Sequence, residues 1–259
     1  NSSVNYFFSQ NIHSSSLDEL FSIRFDYIVN LGGYVDHSSY FDGGSCVIQN
    51  HHSFLSSLLN RLDLSSLKRF IQIGSSDEYG LCPSPQVESM REMPISPYSF
   101  AKTANTHLLQ MLYRTIDFPA VILRVFLTYG PYQSTSRFIP FVIHNCIHNQ
   151  TFNISSCVQT RDFLYVSDLI SAILLCLESD NVNGQVLNIG SGIPLQLIDV
   201  VESIVSMVGS GTPIYGGWKS SKIENISLHP STSKIADLLG WKSRVSLHSG
   251  LQKTIDSYR

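Results

Sequence analysis

The sequence predicts an α/β protein built on a parallel sheet, and three observations point there. Apolar runs of strand length alternate with stretches of helical periodicity through the first half of the chain. A strand, helix, strand order needs a crossover connection, which pairs the strands in parallel. With 259 residues, 43% of them hydrophobic and 14% charged, the chain can bury a large core, as one domain or as one domain with a smaller lobe.

Taken in order, "VNYFF" (4–8) and "FDYIVNLGG" (25–33) read as buried strands, with "SLDELFSI" (16–23) between them as an amphipathic helix. "SSYFDGGSCVIQNHHSFLSSLLNRLDLSS" follows as a loop and a helix, with Ile48, Leu55, Leu58, Leu59 and Leu62 at helical spacing. "KRFIQIGSS" is the next strand and ends in small hydroxyl residues. After a proline-punctuated loop, Pro97 stands where a helix can start, and "YSFAKTANTHLLQMLYRTID" continues it. "PAVILRVFLTYGP" is another buried strand closed by a turn. From about Tyr132 the elements become short and mixed. Residues 1–131 are therefore expected to form one domain and 132–259 mainly a second lobe, with some segments returning to the first.

The net charge of -3 and the scattered Lys and Arg leave no basic stripe, which argues against nucleic acid as a partner. The longest apolar runs, such as Leu169 to Leu177, fall short of the ~20 residues a membrane helix needs. Five cysteines without C-x-x-C spacing suggest neither a disulfide framework nor a zinc site, and point to a cytoplasmic protein. His51, His52, His144 and His148 lack the carboxylate or cysteine spacing of a metal site, so no metal is expected.

Chemistry concentrates in "SPYSFAK", residues 96–102. On a helix Tyr98 and Lys102 share a face. A free phenol has a pKa of about 10, and a nearby ammonium favours the phenolate, which makes the pair a candidate proton acceptor. Taken alone, such a pair is more often a packed tyrosine beside a solvated lysine. The strand ending in Ser75 and Ser76 changes that balance, because hydroxyls at the carboxyl end of a parallel strand face the crevice where open α/β sheets bind ligands. A serine there can hydrogen-bond a substrate hydroxyl or carbonyl while the phenol moves its proton.

With these stretches in place the chain resembles the extended short-chain dehydrogenase/reductase family, in particular its nucleotide-sugar epimerases, dehydratases and ketoreductases. "YIVNLGG", "FIQIGSSDEYG", "SPYSFAK", "VILRVFLTYGP", "QTRDFLYVSDLISAI", "LNIGSG" and "STSKIADLLGW" resemble family landmarks and occur in the family's order. The resemblance implies a Rossmann-like, doubly wound parallel sheet with a smaller C-terminal α/β substrate lobe. It implies NAD or NADP as cofactor, a nucleotide-diphosphate sugar as substrate, and a homodimer. Tyr98 would be the acid/base, Lys102 its partner on the nicotinamide ribose, and Ser75 the partner of the substrate hydroxyl. Asn11, Ile12, Leu31, Gly32, Gly33, Gly74 and Val125 would line the cofactor together with Tyr98 and Lys102. Leu127, Arg137 and Arg161 would face the substrate, with the forked Arg161 guanidinium on its diphosphate; the alternative for Arg161 is a surface arginine bridged to Asp162 or Asp168.

The chain also departs from the family. The glycine-rich G-x-x-G-x-x-G turn is absent from these 259 residues, and the expectation is that roughly one βαβ half-unit, ~30 to 45 residues, is missing from the sequence. Leu127 stands where many relatives carry Asn, Ser231 where many carry Asp, and Asn11 where an acid is usual. The resemblance leaves three reactions at sugar C4. Epimerisation needs no further acid, and a ketoreductase is suggested by "GSSDEYG". A 4,6-dehydratase would use Ser76 and Asp77 as its acid/base pair. Asp77 and Glu78 read equally well as a solvated turn. Epimerisation or 4-keto reduction ranks first, dehydration second, and a catalytically idle nucleotide-sugar-binding protein stands as the alternative class.

Overall fold

The computed structural model describes residues 17–218 and 225–259. "VNYFF", Asn11 and Ile12 lie outside the described residues. The first half runs α1 (Asp18–Phe21), β1 (Tyr27–Asn30), α2 (Ser45–Arg61), β2 (Arg69–Ile73), α3 (Pro97–Ile116) and β3 (Ala120–Val125). The second continues with β4 (Leu127–Tyr129), α4 (Phe138–Ile147), β5 (Thr151–Asn153), β6 (Thr160–Tyr165), α5 (Val166–Glu178), β7 (Val186–Ile189), β8 (Pro194–Gln196), α6 (Leu197–Val208), β9 (Thr212–Ile214), β10 (Ser227–Leu228), α7 (Ser233–Leu239) and α8 (Leu247–Tyr258).

The helix expected over 16–23 is only four residues long. Ser22 caps it, its hydroxyl donating to Glu19 O, one of the last carbonyls of the helix.

Four parallel strands form the main sheet in the order β1-β2-β3-β7. Phe70 and Ile122 face α2 and α3, where they pack with Leu55, Leu109 and Phe118. Ile71, Val121, Leu123 and Leu187 face the other way, toward Ala172 and Cys176 of α5 and toward Ile235 and Trp241. Cover on both faces explains why these strands are apolar throughout, and each fully buried Ile, Leu or Phe contributes about 1.5–3 kcal/mol. β7 joins this sheet although it follows the mixed second-half elements, because Val186 to Ile189 pair with Ile122 to Val125 of β3.

The second half builds a smaller assembly. β4, β6 and β10 pair in parallel, with β8 antiparallel to β6, and β5 pairs with β9. Its core lies between α4, α6 and α8, around Val142, Ile143, Val200, Ile204 and Leu251. The loop after β1, the carboxyl end of β2 and the start of α3 meet around Lys102.

Candidate active site

Helix α3 is started by its own sequence. Ser96 Oγ accepts from Ser99 N at 3.1 Å, Ser99 Oγ accepts from Ser96 N at 2.9 Å, and Pro97 occupies the first helical position. This reciprocal cap fixes the first turn, so Tyr98 and Lys102 sit one turn apart, each only 6% exposed. Lys102 Nζ lies 5.9 Å from the centre of the Tyr98 ring and donates to Ile73 O, the last carbonyl of β2, at 3.0 Å. The ammonium thus joins α3 to the end of the strand that carries the serines.

Past that strand the chain enters a short 3₁₀ turn, Ser76–Tyr79. Ser75 caps it, its hydroxyl accepting from Asp77 N at 3.1 Å, and its side chain also acts on the Tyr98 phenol, lowering the phenol's pKa. Gly74 N donates to Leu123 O at 2.8 Å, and a Cβ on Gly74 would stand 2.6 Å from Glu78 Oε1, so the close approach there requires glycine. Gly33 has φ +129°, and a Cβ on it would lie 2.8 Å from the His51 ring and 3.5 Å from Lys102 Nζ. This glycine lets the loop after β1 come down beside Lys102.

The electrostatics are dominated by burial. It pushes the Tyr98 phenol up to about 12, reinforced by the Asp77 and Glu78 carboxylates and opposed by the Ser75 hydrogen bond and Arg137. Burial also lowers Lys102, with Glu78 working against it. An ammonium close by favours the phenolate, but here burial outweighs any such effect and the phenol keeps its proton at neutral pH. Asp77 is raised by burial, against the pull of His37, Arg137 and Arg161, although 31% of its side chain remains exposed toward the crevice. His37 Nε2 is 3.6 Å from Asp77 Oδ2.

Arg137, exposed at the start of α4, and Arg161, near the start of β6, both pull the Asp77 pKa down through their charge. Arg161 Nη1 donates to Thr160 O at 2.9 Å and Ile226 O at 3.3 Å. The carboxylates of Asp162 and Asp168 accept from backbone amides of 191, 193, 244 and 245. Leu127 and Arg137 share the wall of a 170 Å³ cavity with Gln133 and Phe163.

Ser75, Tyr98, Lys102, Gly33, Gly74 and Asp77 are therefore brought together. Ser76 is 2% exposed and offers little surface to the crevice, Leu31 is 70% exposed at the end of β1, and Gly32 N donates to Asn30 Oδ1 at 2.9 Å. Val125, the last residue of β3, packs partly buried on the apolar face beside Leu187 and Ile189. The solvated-turn reading does not hold for Glu78, which is fully buried with Oε2 accepting from Arg124 Nε at 2.9 Å, whereas Asp77 stays partly exposed.

Two histidines were missed. His37 and His51 each meet the Tyr98 ring nearly edge-on, 5.5 Å between centroids. His51 is buried on α2, and burial and Lys102 lower its pKa, which favours the neutral ring. Its position at helical spacing with Leu55 was the one signal available in the sequence. Among the described residues no group of three or more His, Cys, Asp or Glu could hold a metal ion, and no helix is long and apolar enough to cross a membrane.

Comparison with known proteins places this geometry in context. The dTDP-glucose 4,6-dehydratase 1 of Escherichia coli (strain K12) is 30% identical over 210 residues, covering 73% of this chain and 58% of that protein. The dTDP-D-glucose 4,6-dehydratase of Mus musculus is 28% identical over 209 residues, 78% of this chain and 59% of that protein. The chain thus spans less than two thirds of the length of these curated relatives. The crystal structure of UDP-glucuronic acid 4-epimerase from Bacillus cereus, in complex with UDP-glucuronic acid and NAD, superposes with a TM-score of 0.87 at 27% identity, over 96% of this chain and 79% of that one. The model of the NAD dependent epimerase/dehydratase family matches residues 7–190, well over half of the sequence, and the chain belongs to that family.

Proposed function

We propose that this chain carries the active centre of an NAD(P)-dependent enzyme acting at C4 of a nucleotide-diphosphate sugar, by 4-epimerisation or 4-keto reduction. The observation that supports this reading is the meeting of Ser75, Tyr98 and Lys102 at the carboxyl end of β2, with the charges of Arg137 and Arg161 acting on Asp77 beside them. The donor set suits the nicotinamide-ribose end of a dinucleotide: Lys102 has three N–H donors and spends one on Ile73 O, and Gly33 lets the loop backbone come close beside it. A bound NAD or NADP would supply the hydride donor or acceptor. In the same reading residues 1–131 serve mainly the dinucleotide and 132–259 mainly the sugar nucleotide.

The chain's own residues handle the proton and the orientation. Ser75 holds the C4 oxygen by hydrogen bond while Tyr98 gives it a proton on reduction or takes one on oxidation. Burial keeps the Tyr98 phenol protonated at neutral pH, the form that can give a proton to the C4 oxygen in keto reduction or in the reductive half of an epimerisation. Arg137 and Arg161 offer forked donors for the diphosphate.

A second reading, 4,6-dehydration, rests on Asp77, whose raised carboxyl lies near Tyr98 and can hold a proton for a departing hydroxyl. The burial of its partner Ser76 weighs against it.

The test is incubation with UDP-, GDP-, CDP- and dTDP-sugars and their 4-keto forms, with NAD or NADPH, followed by mass and chromatography. Unchanged mass with a new retention time means epimerisation, a gain of two hydrogens reduction, and loss of water dehydration. Tyr98→Phe should lower turnover by about 10²–10⁴-fold. Equal activity in Tyr98→Phe, or bound nucleotide sugar without conversion, would sink the reading in favour of another base or an idle binding protein.

A further inference from the structure

Glu78 is fully buried, and its carboxylate meets three separate parts of the site. Oε1 accepts from Ser75 N at 2.9 Å. Oε2 accepts from Thr106 Oγ1 on α3 at 2.8 Å and from Arg124 Nε on β3 at 2.9 Å. Arg124 is seated in turn by Glu92, which accepts from its Nη2, and lies 4.6 Å over the Tyr79 ring. The oxygen that takes Ser75 N also occupies the space a side chain at Gly74 would need. One carboxylate therefore links the turn that carries Ser75 to the helix that carries Tyr98 and Lys102, and ties both to a sheet strand.

We propose that Glu78 is a positioning residue: seated on Arg124, it holds the Ser75 turn in register with α3, so that the Ser75 hydroxyl meets the Tyr98 phenol. This rests on the reading of Ser75 and Tyr98 as the reacting pair. A carboxylate suits the task because its two acceptor oxygens serve all three donors at once, whereas an amide has a single acceptor. Buried hydrogen bonds to a charged group are also the strong ones, so the joint is stiff.

The test compares the unaltered chain with Glu78→Gln and Thr106→Val, reading backbone amide exchange and steady-state kinetics. Glu78→Gln keeps the volume and leaves Arg124 paired with Glu92. Exchange at Ser75 to Asp77 should accelerate about tenfold or more, and by more than exchange in β2 and β3, since a neutral amide cannot serve all three donors and, among the described residues, no other side chain holds Ser75 N. The kcat should fall about 100-fold with KM held within about twofold, as expected when a reacting group is misplaced by about 1 Å. Thr106→Val, which removes one of the three bonds, should show the same pattern with a kcat loss of about threefold to tenfold. Unchanged exchange at the turn in Glu78→Gln, or a raised KM with kcat intact, overturns the proposal. If Glu78→Gln does not fold, Thr106→Val decides alone, and unaltered turn exchange there overturns it. If no nucleotide sugar is turned over even by the unaltered chain, the proposed reaction falls, while the exchange comparison still decides whether Glu78 holds the Ser75 turn.

Discussion

Two fully buried carboxylates, one in each half of the molecule, are held in opposite ways. Glu78 meets a cation, Arg124 at 2.9 Å, and joins residues 28 and 46 positions away in sequence. Asp162 accepts from neutral donors in one short loop: Ser191 N at 2.7 Å, Ser191 Oγ at 2.8 Å and Ile193 N at 3.1 Å. Burial pushes Asp162 up, against those hydrogen bonds. Burial also works against the charge on Arg124, but Glu78 and Tyr79 outweigh it and hold the guanidinium protonated. A carboxylate paired with a buried cation ties distant elements together through that cation. A carboxylate fed by neutral donors can take up a proton at modest cost, so it organises its own loop and little else.

The largest test of this contrast is Arg124→Met. It strands Glu78 in a site it cannot leave, and stability to urea should fall by about 3–5 kcal/mol; a loss under about 1 kcal/mol would mean that the two carboxylates are alike after all. Asp162→Asn should cost less, about 1–3 kcal/mol, because neutral hydrogen bonds are exchanged for poorer ones and no charge is stranded.

Asp162 also has a signature in pH. The folded chain holds a proton there that the unfolded chain releases, so its contribution to stability is greatest in acid and declines as pH rises from about 4 through the raised folded value. In Asp162→Asn that slope should vanish from a series of urea midpoints, and an unchanged slope would remove Asp162 as its source. The smallest effect sharpens the picture on the alkaline side. Burial pushes Tyr79 and Tyr98 up to about 12, so the folded chain keeps protons that the unfolded chain loses near pH 10, and stability falls between the two. At pH 11 each phenol should account for about 1 kcal/mol, and Tyr98→Phe should recover its share.

The pieces of the site that were legible in the sequence are those whose geometry is local. Tyr98 and Lys102 are four positions apart on one helix, and Ser96, Pro97 and Ser99 write the start of that helix into adjacent residues. Ser75 was legible because strand ends in parallel sheets face a common crevice. Glu78 was not, because its partners Thr106 and Arg124 lie on other elements, and "SSDEYG" reads equally well as a solvated turn. His37 and His51 failed for the same reason: nothing in their neighbours announces a contact with Tyr98.

By itself the sequence determined the alternation of strands and helices, the capped start of α3 and the pairing of a phenol with an ammonium, because periodicity and capping act over a few residues. Only the tertiary structure decided what those groups do to one another. It joined the Lys102 ammonium to the Ile73 carbonyl, raised the phenol by burying it, and turned Glu78 from a surface acid into the joint behind Ser75. Burial and distance set those outcomes, and both arise only when segments far apart in the chain pack together.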